Sequence, residues 1–133
     1  MLVRRGIVHH SVPVPGLTHL EAPAVQVTLA CRPVNILSAY RSSSRPLIGA
    51  DLTACFGGGL PVLMAGDLNA KHVDWNSQLT TRRGKLLCDY AVENSCLIFG
   101  PENRTTNPYN PSATPDVLDI AVTKDVPFEV YLT

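Results

Sequence analysis

The residues best suited to chemistry lie in the segment MAGDLNAKH, residues 64–72, where an apolar run ends at Gly66 and is followed by Asp67 and Asn69. Residues two apart on a strand point to the same face, so this carboxylate and carboxamide are predicted to project side by side. The pair suits phosphate chemistry at a hard cation, because an aspartate can activate water or hold the ion while an asparagine donates to a phosphate oxygen. An Asx turn, in which both side chains cap the backbone, explains the tetrapeptide GDLN equally well.

Two more residues extend this candidate site. Asp119 lies inside the apolar run VLDIAV, residues 117–122, where a carboxylate needs a partner, a metal ion or a neutral form to offset its burial. An acid that caps a loop at a strand end is the alternative. Tyr40 closes another apolar run, and its hydroxyl could reach a phosphate at the same sheet edge, although tyrosines in such places more often belong to the core.

The pattern of apolar residues predicts strands interleaved with two helices. Helices are predicted over residues 47–56 and 82–94, the second with Thr81 as its N-cap. Strands are predicted over residues 22–30, 34–40, 60–68, 96–99 and 117–122, of which the first two form a hairpin and 60–68 is central. The polar residues 41–46 are predicted to form a flexible loop, and residues 100–115, with four prolines, a long surface loop.

Length and composition bound the class of protein. A chain of 133 residues fits one domain, and 45% hydrophobic with 17% charged residues indicates a globular fold. Lysine plus arginine equals aspartate plus glutamate at 11 each, which excludes a grossly basic nucleic-acid binder but leaves room for local phosphate-binding patches. There is no apolar run of about 18 residues and no secretion signal, so we expect no membrane partner and a nuclear or cytoplasmic location.

The four cysteines give little indication of a special site. Cys31, Cys55, Cys88 and Cys96 form no CxxC pair, so a zinc site is not expected from their spacing. We predict reduced, mostly buried thiols.

Several strings taken together resemble a known family. GDLN after an apolar strand resembles the signature of the endonuclease/exonuclease/phosphatase superfamily, which includes deoxyribonuclease I. The strings GDLNAKHVDWNS, TTRRGKLLCDYAVENSCLIFG and TPDVLDIAVTK are similar to the endonuclease domain of non-LTR (LINE-type, jockey-like) retrotransposon polyproteins. The resemblance implies an α+β fold, an α/β sandwich of two packed, mostly antiparallel sheets flanked by helices. Residues 1–133 would form a single, partial domain of this kind.

The resemblance also implies roles for individual residues. Asp67 would activate the attacking water and help to hold Mg²⁺ or Mn²⁺, and Asn69 and Tyr40 would contact the scissile phosphate. Asp119 would orient the catalytic groups. Candidate contacts to DNA, with local structure as the alternative for His72 and a solvated helix start for Lys71 and Arg82, are Lys71, His72, Arg82, Tyr109 and Asn110.

The implied activity is metal-dependent nicking of target DNA, which primes reverse transcription by a reverse transcriptase domain on the same chain of a full-length parent. The family's main metal-binding glutamate and its catalytic histidine have no counterpart here, and Glu21 precedes a different strand. We therefore expect a weakened or inactive nuclease that holds its metal weakly. The alternatives are a non-catalytic DNA-binding or remnant module of the same fold, and a phosphodiesterase or phosphatase that acts on another substrate.

Overall fold

A computed structural model describes residues 8–29, 31–100 and 119–127. Six strands and two helices are present in these residues, with a short 3₁₀ turn at Val73–Trp75. The strands are β1 (His9–Val12), β2 (Ala24–Leu29), β3 (Arg32–Tyr40), β4 (Val62–Asp67), β5 (Leu97–Phe99) and β6 (Ile120–Lys124), and the helices are α1 (Gly49–Phe56) and α2 (Arg82–Asn94).

The six strands form one sheet in the order β1-β2-β3-β4-β6-β5. Neighbouring strands are antiparallel except β3 and β4, which run parallel and are connected through α1. The predicted α+β class, the β2–β3 hairpin and the central place of β4 are confirmed. The described residues supply one sheet, where the family resemblance implies two.

The core lies between this sheet and the helices. Alternate residues of the strands form one apolar face, because side chains on a strand alternate between the two faces. The helices contribute a matching stripe of apolar residues. The most deeply buried members of this cluster are Leu37, Met64, Val62 and Val122 from the sheet and Leu52, Phe56 and Leu87 from the helices.

Element boundaries agree with the prediction best where a capping residue is present. Helix α2 spans the predicted residues, and the Thr81 hydroxyl accepts a hydrogen bond from the Gly84 N–H at 3.1 Å. Strand β3 begins two residues early, at Arg32, because its ladder with β2 continues to the Leu29–Arg32 pair. Strand β1 was not predicted, since its sequence, HHSV, has little apolar character and is mostly exposed.

Other predictions cannot be compared with the structure. Most of the predicted loop at residues 100–115 and the first two residues of the predicted strand 117–122 lie outside the described residues. All four cysteines are free thiols, as predicted, although Cys31 is exposed. Of the helices that the structure describes, neither is long and apolar enough to cross a membrane.

A buried carboxylate joins α1 to the segment that leads into β2. Asp51 is 1% exposed, and its two oxygens accept hydrogen bonds from the backbone N–H groups of Thr18, His19 and Leu20 at 2.9–3.1 Å. The Thr18 hydroxyl donates a fourth, at 3.1 Å. Burial by itself raises the pKa of Asp51, but these hydrogen bonds outweigh it and leave the pKa below its usual range.

This lowered pKa makes part of the protein's stability dependent on pH. The unfolded-state pKa of an aspartate is about 3.9, so the stabilisation is complete above about pH 4 and is lost as the pH falls through the lower, folded-state value. We expect Asp51→Asn to reduce the free energy of unfolding by about 1–3 kcal/mol at pH 7, and by less at pH 3. Urea denaturation at both pH values measures this. Asp89→Asn, on the exposed side of α2, is the matched control, and an equal loss at both pH values would contradict the assignment.

Candidate active site

Four polar residues from separate parts of the chain lie in one row across the sheet. Tyr40, the last residue of β3, is the register partner of Asp67, the last residue of β4. The backbone of Tyr40 also forms a bridge with Glu21, with N–H···O distances of 2.8 and 2.9 Å. Gly66 pairs with Ile120, so the next position along the β4–β6 ladder places Asp119 opposite Asp67. The structure thus brings together Tyr40, Asp67 and Asp119, and adds Glu21.

This row is open to solvent. Tyr40 is 50% exposed, Glu21 and Asp119 are exposed, and Asp67 is half-buried. The expectation that Asp119 is a buried acid inside an apolar strand is wrong, because β6 begins only at Ile120 and the carboxylate stays in water. Asp119 therefore needs no partner to offset desolvation, and it remains available to a ligand.

The turn after β4 fixes Asp67 and Asn69. Oδ1 of Asp67 accepts a hydrogen bond from the Asn69 N–H at 2.9 Å, and Nδ2 of Asn69 donates to the Arg41 carbonyl at 2.6 Å. Asn69 has a left-handed backbone, with φ 49°, and lies beyond the end of the strand. The Asx-turn alternative therefore describes the backbone contacts, and the same-face rule for strands does not align these two side chains. Among the described residues, nothing donates to Oδ2 of Asp67.

A fully buried arginine holds this turn in place. Arg41 follows Tyr40 directly and is 0% exposed. Its Nε donates to the Leu68 carbonyl at 2.6 Å and its Nη2 to the Asn69 carbonyl at 2.7 Å. Its Nη1 donates to the carbonyls of Ser42, at 2.8 Å, and Arg45. One guanidinium thereby joins the turn after β4 to the loop after β3.

The Arg41 charge also acts on the electrostatics of the row. Burial lowers the pKa of Arg41, the nearby Arg83 lowers it further, and Asp67 opposes both. A guanidinium remains protonated in proteins even so, which leaves a positive charge close to the Asp67 carboxylate. Sequence reasoning missed Arg41, because nothing in the string RSSSRP distinguishes a buried arginine from a solvated one.

Arginine side chains make several hydrogen bonds to and from the loop at residues 41–46. Besides the contacts of Arg41, Nη1 of Arg83 on α2 donates to the Ser43 carbonyl at 2.9 Å. Nη1 of Arg45 donates to the Thr18 carbonyl at 3.3 Å. These contacts give the loop hydrogen-bond partners that its polar composition does not indicate, and its flexibility stays a prediction.

The predicted DNA contacts fall in different places. Nδ1 of His72 accepts a hydrogen bond from the Asp74 N–H at 3.0 Å, and the ring packs on Trp75 with centroids 4.9 Å apart, which favours a local structural role. The Lys71 carbonyl accepts from the Thr81 N–H at 2.9 Å beside the start of α2, where Arg82 is exposed. Tyr109 and Asn110 lie outside the described residues.

The chemistry of the row fits a hard divalent cation. The side chains of Glu21, Tyr40, Asp67 and Asp119 offer only oxygen atoms, which are the ligands that Mg²⁺ and Mn²⁺ prefer. Asp67 is the member of the row best suited to hold such an ion, since Asn69 and the Arg41 contacts fix its position while Oδ2 remains available.

Replacing Arg41 tests how far the turn depends on it. Arg41→Lys keeps the charge but cannot supply donors to four carbonyls at once, so buried or partly buried acceptors lose their partners. We expect the free energy of unfolding to fall by about 2–4 kcal/mol, from the cost of one or more unsatisfied buried groups. Arg32→Lys, at an exposed position of β3, is the control. Equal denaturation midpoints for Arg41→Lys and the wild-type chain would refute this role.

Comparison with known proteins places this geometry in a family. Residues 34–130 match the family described as endonuclease-reverse transcriptase. The chain is 28% identical over 131 residues, 96% of its length, to the probable RNA-directed DNA polymerase from transposon BS of Drosophila melanogaster. It is 28% identical over 106 residues, 79% of its length, to the RNA-directed DNA polymerase from mobile element jockey of the same species. It spans only 14% and 11% of these two relatives.

A solved structure shares the fold. The endonuclease domain of TRAS1, a telomere-specific non-LTR retrotransposon, superposes with a TM-score of 0.73 at 16% sequence identity, covering 92% of this chain and 57% of that one. The family match covers most of β3 and all of β4 to β6, and Tyr40, Asp67 and Asp119 lie within the matched residues. The resemblance seen in the sequence is confirmed, and this chain belongs to the endonuclease-reverse transcriptase family.

Proposed function

We propose that this chain is part of the endonuclease domain of a non-LTR retrotransposon polyprotein and that the domain nicks DNA with bound Mg²⁺ or Mn²⁺. The observation that carries the proposal is the register pair of Tyr40 and Asp67, with Oδ2 of Asp67 available beside further exposed carboxylates. Residues 1–133 act as one partial domain, and a reverse transcriptase domain on the same parent chain extends the nicked strand inside the cell.

The proposed reaction is hydrolysis of a phosphodiester bond. Water adds to phosphorus, the bond to the 3′ oxygen breaks, and the products are a 3′ hydroxyl and a 5′ phosphate. Oδ2 of Asp67 orients the water and takes its proton, while the Tyr40 hydroxyl and the second Nδ2 proton of Asn69 donate to the phosphate oxygens. A bound divalent ion supplies Lewis-acid stabilisation of the phosphate charge. Arg41 keeps the turn in place and adds positive charge nearby.

Contacts to DNA are proposed for the side of the site where α2 begins. Lys71 and Arg82 flank the start of this helix, and Arg83 packs its side chain against the loop after β3. Tyr109 and Asn110 are proposed to extend the contact surface, and His72 contributes mainly by shaping the turn. With zero net charge, the chain is expected to bind DNA modestly and with strong salt dependence.

Activity of the 133-residue chain by itself is expected to be weak or absent. In the described residues, Glu21, Tyr40, Asp67 and Asp119 form the row, and it contains no histidine to act as a second acid or base. Absence of such a group typically lowers the rate about 10²–10⁴-fold.

Plasmid nicking is the direct measurement. Supercoiled plasmid is incubated with the reduced chain and Mg²⁺ or Mn²⁺, and open-circle product is quantified over long times. We expect nicking to be slow at most, and we expect chelation and Asp67→Ala each to reduce it to the buffer background, because the variant lacks the group that orients water. Asp89→Ala, an exposed acid on α2 away from the row, should nick like the wild-type chain.

The outcomes separate the alternatives. Metal-dependent nicking that survives in Asp67→Ala would overturn the assignment of this site. Matching backgrounds for every variant would show that the chain does not cut DNA by itself. In that case, salt-dependent binding to a DNA duplex would favour the non-catalytic module.

A further inference from the structure

A second group of metal-ligating side chains lies outside the row. His72 caps the 3₁₀ turn, Asp74 lies within it, and Cys88 lies on the facing side of α2, fourteen residues after Asp74. Ligand atoms of all three lie within 4.8 Å of one another. Oδ2 of Asp74 is 3.6 Å from Nδ1 of His72 and 3.7 Å from Sγ of Cys88.

These distances are close to the ligand–ligand distances of a tetrahedral metal site. Zinc binds nitrogen and oxygen at about 2.0–2.2 Å and sulfur at about 2.3 Å, which places tetrahedral ligands roughly 3.3–3.6 Å apart. Two of the three ligand–ligand distances, 3.6 and 3.7 Å, are close to this range and the third is at most 4.8 Å, so side-chain movements of about 1 Å would surround one ion. Three protein ligands leave the fourth position to water.

The ligand types select the class of ion. Thiolate and imidazole suit Zn²⁺ and similar borderline cations, whereas Mg²⁺ prefers oxygen ligands only. Solvent reaches the site through Asp74, whose side chain is 66% exposed, whereas that of His72 is only 15% exposed. Packing against Trp75 orients the His72 ring before any ion arrives.

Binding requires two local exchanges. The Cys88 thiol, which donates to Asp74 in the metal-free chain, must release its proton to solvent and bind as thiolate. Nδ1 of His72 must exchange its hydrogen bond from the Asp74 N–H for the metal, and that N–H lies at the exposed start of the turn, where water can replace the imidazole.

We propose that His72, Asp74 and Cys88 form a binding site for one Zn²⁺-class cation, separate from the Mg²⁺ or Mn²⁺ chemistry of the row. An ion bound there ties the turn at residues 72–75 to the middle of α2. The proposal does not depend on nuclease activity, since it concerns only the affinity of these three side chains for a metal.

Cobalt is the probe for this site, because Co²⁺ occupies zinc sites and reports thiolate coordination through a near-ultraviolet charge-transfer band. The reduced, metal-free chain is titrated with Co²⁺. We expect one equivalent to bind with this band and with the visible absorption of tetrahedral Co²⁺, and we expect Zn²⁺ but not excess Mg²⁺ to displace it.

Variants identify the ligands. Cys88→Ser should remove the thiolate band, and Asp74→Asn and His72→Gln should weaken binding at least about tenfold. Cys31→Ser, which removes an exposed thiol at the β2–β3 turn, should change nothing. Circular dichroism verifies that each variant is folded, and if Cys88→Ser is not, the other two variants decide. Absence of a stoichiometric thiolate band, its survival in Cys88→Ser, or unchanged affinity in both other variants would overturn the proposal.

Discussion

The candidate site depends on one buried positive charge whose partners are backbone carbonyls. The guanidinium of Arg41 donates to carbonyls in the segment that follows Tyr40 and in the segment that follows Asp67, the central pair of the row. The backbone N–H of Arg41 donates to the Asp67 carbonyl at 3.0 Å, and the backbone carbonyl of Arg41 accepts from Nδ2 of Asn69. The bond to the Leu68 carbonyl is buried and the others are partly buried, so loss of the guanidinium would remove the hydrogen bond of a buried acceptor.

Asp51 stabilises the other end of the row by the same means with the opposite charge. Its carboxylate accepts hydrogen bonds from the backbone N–H groups of residues 18–20, immediately before Glu21, which pairs with Tyr40. Neither buried charge is hydrogen-bonded to a side chain of opposite charge in the described structure. Each instead fixes a stretch of irregular backbone, which is what a site assembled from strand ends and loops requires.

Sequence patterns were informative where structure is local and much less so where it is not. A nearly continuous apolar run predicts β4, and the helical spacing of apolar residues with the Thr81 cap predicts α2, since these are local properties of the sequence. Arg41 and Asp51 escaped prediction because their partners lie up to 28 and 33 residues away, and no spacing rule marks an unpaired charge as buried. The proximity of Cys88 to His72 and Asp74 likewise arises from the packing of α2, and no CxxC spacing in the sequence indicates it.

Gly66 has a consequence for how the parallel strands find their alignment. It has φ 150°, and a Cβ at this position would collide with the Ala39 carbonyl oxygen. A slip of β4 against β3 by one residue is already penalised, because it moves every apolar side chain to the wrong face. A slip by two residues keeps the faces correct, but it moves Gly66 from its place opposite Ala39, where its missing side chain lets the two backbones approach closely. The apolar pattern thus selects the face, and the glycine favours the alignment that keeps it opposite Ala39.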